Sequence, residues 1–143
     1  MVLNPYLNFD GNAEEAFLFY QSVFGGELII QRMSEAPGTE SLPDEMKNRL
    51  MHVGLPIGNG QFLMASDCHP TQGHNFIIGN NNYISIMPDS REDADRTFNG
   101  LSAGGTIEMP MADMFWGDYF GSFVDKFGVC WMINFNEDYT SKK

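Results

Sequence analysis

Three histidines, two cysteines and an excess of carboxylates are the residues of this 143-residue chain that could grip an ion or move a proton. His69 and His74 stand five apart in DCHPTQGHN, with Asp67 and Cys68 beside them, so the spacing allows a metal to be held. The segment is polar and carries Gly and Pro, however, and reads as an exposed loop. His52 is alone in RLMHVGLPIG and reads as a structural or cleft-lining side chain of a strand. Cys68 and Cys130 are too few and too isolated for a disulfide framework or a Cys-rich zinc site. Neither has a partner base, and Cys130 falls in an apolar strand where a thiol is inert. Asp67 closes the run MASD, where its carboxylate is read as capping a turn. No Gly-rich loop opens a helix, and there is neither a G-x-S-x-G nor a P-loop.

The segment DMFWGDYFGSFVD, 113–125, offers chemistry of another kind. Phe115-Trp116 and Tyr119-Phe120 flank Gly117-Asp118. Large aromatics with few polar groups are what a small-molecule pocket uses for area and orientation. Core or dimer packing uses them equally well, and both readings stay open. Nine of the ten methionines are internal, and flexible thioethers suit an adaptable apolar cleft as well as an ordinary core.

The elements that must position these residues are legible. Ala13, Ala16, Phe17, Tyr20, Val23 and Phe24 recur at helical spacing. Asn12 and Glu15 have the spacing of a capping box, and Gly25-Gly26 supplies the stop. A strand over Leu3–Phe9 precedes this helix and another over Glu27–Met33 follows it. The pattern returns 79 residues downstream: Asp10 matches Asp89, Glu14 matches Asp93, Phe19 matches Phe98, Gly25-Gly26 match Gly104-Gly105, and Leu28 matches Ile107. Ser90 and Asp93 repeat the cap, and a strand over Tyr83–Met87 leads in. Each half closes with a hairpin: about Arg49–Ile57 with Gly60–Ala65, and about Tyr119–Val124 with Gly128–Ile133. Asn59-Gly60 and Phe127-Gly128 are the turns. Ser34–Asn48 reads as a loop with a short helix around Pro43–Lys47. The chain is thus an α+β single domain of two βαβββ modules, about 1–70 and 80–138, joined by a linker at 68–82.

Bulk properties narrow the partners. Hydrophobic residues make up 43% of the chain and the formal net charge is −11. Such a surface repels phosphate backbones and anionic lipid, so neither nucleic acid nor a membrane is expected. No apolar run reaches a spanning length and no signal peptide is visible, so a cytoplasmic location is expected.

With YLNFDGNAEEAFLFYQSVFGGEL, MASD at 64–67 and FWGDYFGSFVDKFGVCWMINF at 115–135, the doubled βαβββ pattern resembles the vicinal oxygen chelate superfamily of glyoxalases, bleomycin resistance proteins and dioxygenases. Within it the chain is similar to the PhnB-like branch, labelled 3-demethylubiquinone-9 3-methyltransferase-like. The resemblance implies a glyoxalase/dihydroxybiphenyl dioxygenase-like fold whose curved sheets form a cleft, and a homodimer. It also implies four metal-ligand positions on the first and last strands of the two modules. In this chain they fall at Asn4 or Pro5, Met64 or Ser66, Tyr83, and Met132, none of them His, Asp or Glu. No cofactor is therefore expected, a divalent metal being the disfavoured alternative. The expected ligand-binding residues are Tyr6, Asn8, His52, Met64, Ser66, Tyr83, Trp116 and Met132, and no catalytic residue is named. The expected function is small-molecule binding, the alternative a metal-dependent lyase, dioxygenase or isomerase of the superfamily. The methyltransferase label finds no support in the residues.

Overall fold

A computed structural model of the chain describes residues 1–69, 73 and 75–140. Two compact units divide it, Met1–Ile77 and Ile78–Lys143. The linker expected at 68–82 and the His69–His74 spacing fall partly on residues 70–72 and 74, outside the described residues.

The first unit runs β1 (Tyr6–Phe9), α1 (Ala13–Phe24), β2 (Ile29–Arg32), a 3-10 turn (Met33–Glu35), α2 (Asp44–Asn48), β3 (Leu50–Gly58) and β4 (Gln61–Asp67). The second runs β5 (Ile84–Ile86), α3 (Arg91–Ser102), β6 (Thr106–Asp113), β7 (Tyr119–Val124), β8 (Cys130–Phe135) and α4 (Glu137–Thr140). The strand orders are β1-β4-β3-β2 and β5-β8-β7-β6. In each sheet the first strand lies parallel to the last, and the other pairs are antiparallel. This is βαβββ twice, in an α+β fold with no closed barrel.

Each helix covers one face of its own sheet. In α1 the stripe Ala13, Ala16, Phe17 and Tyr20 is fully buried, against Phe9, Val53, Leu55, Leu63 and Ala65. Phe17 meets Phe9 and Tyr20 edge-on, with centroids 6.3 and 5.4 Å apart. In α3 the stripe is Ala94, Thr97, Phe98 and Leu101, with Phe98 edge-on to Phe123 at 5.0 Å. Burying one such phenyl ring is worth about 2–3 kcal/mol. The 79-residue register that aligns caps and glycines does not align these stripes, which coincide instead at a shift of 81. Phe19 and Phe98 are therefore not equivalent: Phe98 is core, while Phe19 lies off the buried stripe of α1.

Two capping expectations meet different outcomes. Ser90 accepts a hydrogen bond from the Asp93 N–H at 3.0 Å, as its spacing implies. Asn12 makes no side-chain cap. Asp67, arriving on β4, does that work instead: its Oδ1 accepts from the N–H groups of Gly11 and Ala13, and its Oδ2 from Leu50. A buried carboxylate with three backbone donors is the stronger cap, because charge-assisted bonds away from water gain most.

The double glycines do have equivalent tasks. A Cβ on Gly26 would lie 3.0 Å from the Pro56 carbonyl oxygen, and one on Gly105 would lie 2.2 Å from the Val124 carbonyl oxygen. Sheet register makes Pro56 and Val124 counterparts. The chain leaving each helix passes under the same strand carbonyl. At the hairpins, Asn59 and Gly60 both take left-handed φ, as a tight two-residue turn requires. Gly128 alone does so in the second turn, where Asp125 accepts from the N–H groups of Phe127 and Val129.

Boundaries shift modestly. β1 and β2 are shorter than the apolar runs suggested, and β4 and β8 extend two residues further. Among the described residues no helix is long and apolar enough to cross a membrane.

Candidate functional site

Because the helix takes one face of the first sheet, alternation sends the other residues of β1–β4 to an uncovered face. Register pairs Tyr6 with Met64 and Asn8 with Ser66, while Gly54 lies opposite Met64 and His52 opposite Gln31. Five of the expected ligand-binding residues, Tyr6, Asn8, His52, Met64 and Ser66, thus share this face. Tyr6 and Asn8 are exposed and the other three half-buried. The Tyr6 hydroxyl lies 3.2 Å from His52 Nδ1, with ring centroids 5.8 Å apart. That hydroxyl can donate to the bare nitrogen or accept from its N–H, so the pair suits ligands of either hydrogen-bonding sense. Gly54 leaves a recess between them: a Cβ there would sit 3.6 Å from His52 Nε2 and 4.0 Å from Met64 Cγ.

The second sheet presents Ser85, Met132, Ser122 and Met109 in one register row. Tyr83, just before β5, belongs to the same face by alternation, so the expected residues Tyr83 and Met132 lie together there. The Tyr83 hydroxyl is 2.8 and 3.0 Å from the two carboxylate oxygens of Glu108 on β6. Those residues start from opposite edges of the sheet, roughly 14 Å apart if the sheet were flat. Their long side chains nevertheless meet at hydrogen-bonding distance. The hydrogen bond to Glu108 raises the Tyr83 pKa. Beneath them the Cys130 thiol is buried, and burial first, then Glu108 and Asp125, raises its pKa. It is therefore a protonated core thiol.

Trp116 stands apart, in the hairpin loop between β6 and β7. Its indole N–H donates to Asp118 Oδ2 at 2.8 Å, and Phe115 packs edge-on to it at 4.9 Å. Asp118 is itself buried and accepts from the Asn136 amide at 2.8 Å. The pairing of Tyr119-Phe120 with Phe115-Trp116 does not survive. Tyr119 turns to α3, donating to Asp95 at 2.5 Å with the Arg91 guanidinium over its ring at 4.0 Å. Only Phe120 shares the face of Met132. Adjacent strand residues point to opposite sides, so four aromatics in one run cannot all line one wall.

Residues that the sequence reading passed over are Glu108, Asp118 and Asp125. Asp125 is buried and takes hydrogen bonds from Phe127 and Val129 and from the Trp131 indole. The spacing Asp125-Lys-Phe-Gly128 was a turn signal that could have revealed it. Glu108 sits at a β-bulge, which periodicity cannot locate. A cavity of about 710 Å³ opens at the start of α1, but none of the expected residues lines it. Its charges are spent on one another: Arg32 with Glu14 at 2.7 Å and Arg49 with Asp10 at 2.9 Å. Those hydrogen bonds hold both carboxyl groups below their ordinary pKa values.

The positions that the resemblance gives to metal ligands do not fit a divalent ion. Asn4 Oδ1 accepts from the Phe62 N–H at 3.3 Å, Tyr83 is committed to Glu108, and Met64, Ser66 and Met132 offer thioether and hydroxyl. Stripping a hydrated divalent ion needs stronger donors. Among the described residues no three His, Cys, Asp or Glu side chains converge on a point where an ion could sit.

Comparison with known proteins bears on the family and the fold. The family model described as 3-demethylubiquinone-9 3-methyltransferase matches residues 2–134. Protein YjdN of Escherichia coli is 36% identical over 145 residues, spanning 94% of this chain and 95% of YjdN. The crystal structure of protein PA1353 from Pseudomonas aeruginosa has a TM-score of 0.83 at 37% identity, covering 95% of this chain and 98% of that one. A PhnB protein from Bacillus cereus has a TM-score of 0.73 at 30% identity, covering 94% and 99%. A glyoxalase-related enzyme from Fulvimarina pelagi shares the fold, with a TM-score of 0.63 at 17% identity over 95% and 89%. The chain belongs to the 3-demethylubiquinone-9 3-methyltransferase family, in its PhnB-like branch, and shares the fold of glyoxalase-related proteins.

Proposed function

We propose that the chain binds a small, partly apolar molecule on the uncovered faces of its sheets, without a metal, and does so in the cytoplasm. The observation that carries this reading is the row of Tyr6, Asn8, His52, Met64 and Ser66 on the sheet face opposite α1. Apolar area from Met64 and the two rings, with a few adaptable polar groups, is the composition of a ligand site. The family description does not supply a methyl-transfer reaction. The connections from a strand into the two long helices are 10–12 and 87–90, the first with one glycine and the second with none, so neither has the glycine-rich loop that cradles a nucleotide-like cofactor.

A small-molecule screen by thermal shift, followed by titration of the hits on Tyr6→Phe and His52→Ala, tests the reading. Hits should weaken about tenfold on His52→Ala and less on Tyr6→Phe. Hits that bind both variants as tightly as the parent would place the site elsewhere. Trp116→Ala tests the hairpin loop in the same way. One tightly bound transition metal per chain, found by elemental analysis of protein purified without chelator, would favour the metalloenzyme alternative. The homodimer is part of the same proposal and is read by sedimentation.

A further inference from the structure

The second sheet allows the ligand class to be narrowed, an inference that rests on the binding reading above. Glu108 is a carboxylate for which the described residues provide no cation. The described arginines pair elsewhere: Arg32 with Glu14, Arg49 with Asp10, Arg91 with Asp113 and Arg96 with Asp93. Instead of a cation, Glu108 has the Tyr83 hydroxyl against both its oxygens, which fixes its direction without neutralising it. Around that pair the same face offers Met109, Met132 and Phe120. Thioether sulfur and aromatic rings are soft, polarisable surfaces, and a ring face attracts a cation.

We propose that Glu108, aimed by Tyr83, receives the ammonium head of a small organic amine whose apolar body lies along Met132, Met109 and Phe120. Charge decides among ligands. An anion would meet Glu108 and a chain of net charge −11, and would be repelled. A neutral apolar molecule covering this face would strip water from a carboxylate without replacing it, which costs more than the apolar contact gains. A hard divalent ion would find one carboxylate, a phenol and thioethers, too few oxygen donors for its hydration shell. An organic ammonium asks for what is present: one directed carboxylate, close to apolar and aromatic surface, in a negative field that draws it in.

The test uses the full chain carrying 13C-methyl methionine, with benzylammonium and its neutral near-isostere benzyl alcohol as probes. Benzylammonium should shift the Met132 and Met109 methyl signals saturably and bind at least fivefold tighter than benzyl alcohol. Glu108→Gln should remove that preference, and Glu108→Asp, which keeps the charge but shortens its reach to Tyr83, should retain part of it. Equal affinity for the two probes, or an amine preference that persists in Glu108→Gln, overturns the charge assignment while leaving small-molecule binding intact. No saturable shift from the amine overturns it as well, and the variants at Tyr6 and His52 then judge the binding reading separately. Thermal melts of both Glu108 variants confirm that they remain folded, which an exposed position allows.

Discussion

The two uncovered sheet faces share a frame and differ in chemistry. Register makes Met64 and Met132 counterparts at the centre of the last strands, with Gly54 matching Ser122, Tyr6 matching Ser85, and His52 matching Phe120. The first face carries a phenol–imidazole pair with no formal negative charge. The second carries a phenol–carboxylate pair set among thioethers. What has stayed alike is what the fold requires: the parallel first and last strands, and the glycine passing under Pro56 in one unit and under Val124 in the other. Both units pack the covered side with mostly apolar residues, although Leu55 answers to Phe123 and Leu63 to Trp131, whereas the other sides differ in charge and hydrogen bonding.

The strongest way to break this comparison is to remove the carboxylates beneath the two frames. Asp67→Ala strands three backbone donors and should cost about 3–5 kcal/mol of unfolding free energy, read by urea denaturation. Asp125→Ala strands two backbone donors and an indole and should cost about 3 kcal/mol. Hydrogen exchange should rise first in the unit that carries each change. Exchange rising equally throughout the chain would mean that the units do not open separately.

The glycine pair gives a graded test. Gly105→Ala forces a Cβ to 2.2 Å from a backbone oxygen and should cost about 3 kcal/mol. Gly26→Ala meets its carbonyl at 3.0 Å but is strained by a φ of +88°, and about 1–2 kcal/mol is expected. The reverse order in chemical denaturation would contradict the equivalence of the two passages. His52→Phe, which makes the first face resemble the second at that position, should change stability by less than about 1 kcal/mol, since the site is half-exposed. Its effect should appear in which small molecules bind.

The smallest effect is set by pH. Asp10 and Glu14 are held below their ordinary values of 3.8 and 4.5, first by hydrogen bonds from Arg49 and Arg32. A lowered folded-state pKa means that the unfolded chain takes up protons first as the solution becomes acidic. The stabilisation is therefore complete above about pH 4.5 and fades as pH falls through the lowered values. Both side chains are partly exposed, so solvent screens the gain. In Arg32→Met the urea midpoint should lose less on going from pH 6 to pH 3 than in the parent. An identical acid slope would show that the Arg32–Glu14 pair contributes nothing.

Much of this was readable before the structure. Helical spacing around Phe17, the two Gly-Gly stops and the strand alternation were enough for βαβββ twice, because burial on one side of an element imprints a period on the sequence. That Tyr6, Asn8, His52, Met64 and Ser66 share one face follows from the same alternation, while a ligand there is a proposal. Asp67 was read as a cap but not as the cap of α1, because its target lies 54 residues away. Glu108 was missed because a bulge breaks the alternation that would have assigned its side. The run from Phe115 to Phe120 shows what composition leaves open: it gathers aromatics that the backbone distributes to a loop and to two opposite faces.

Asp67 also bears on how the chain comes to be folded during synthesis. A ribosome releases the segment of α1 long before the residue that completes its amino end, so the nascent helix must wait, its first amides facing water, until the fourth strand emerges. Folding of the amino-terminal half is thereby made conditional on the arrival of its last piece. A chain halted before that strand would be left with an unfinished helix and a sheet lacking the strand at its middle.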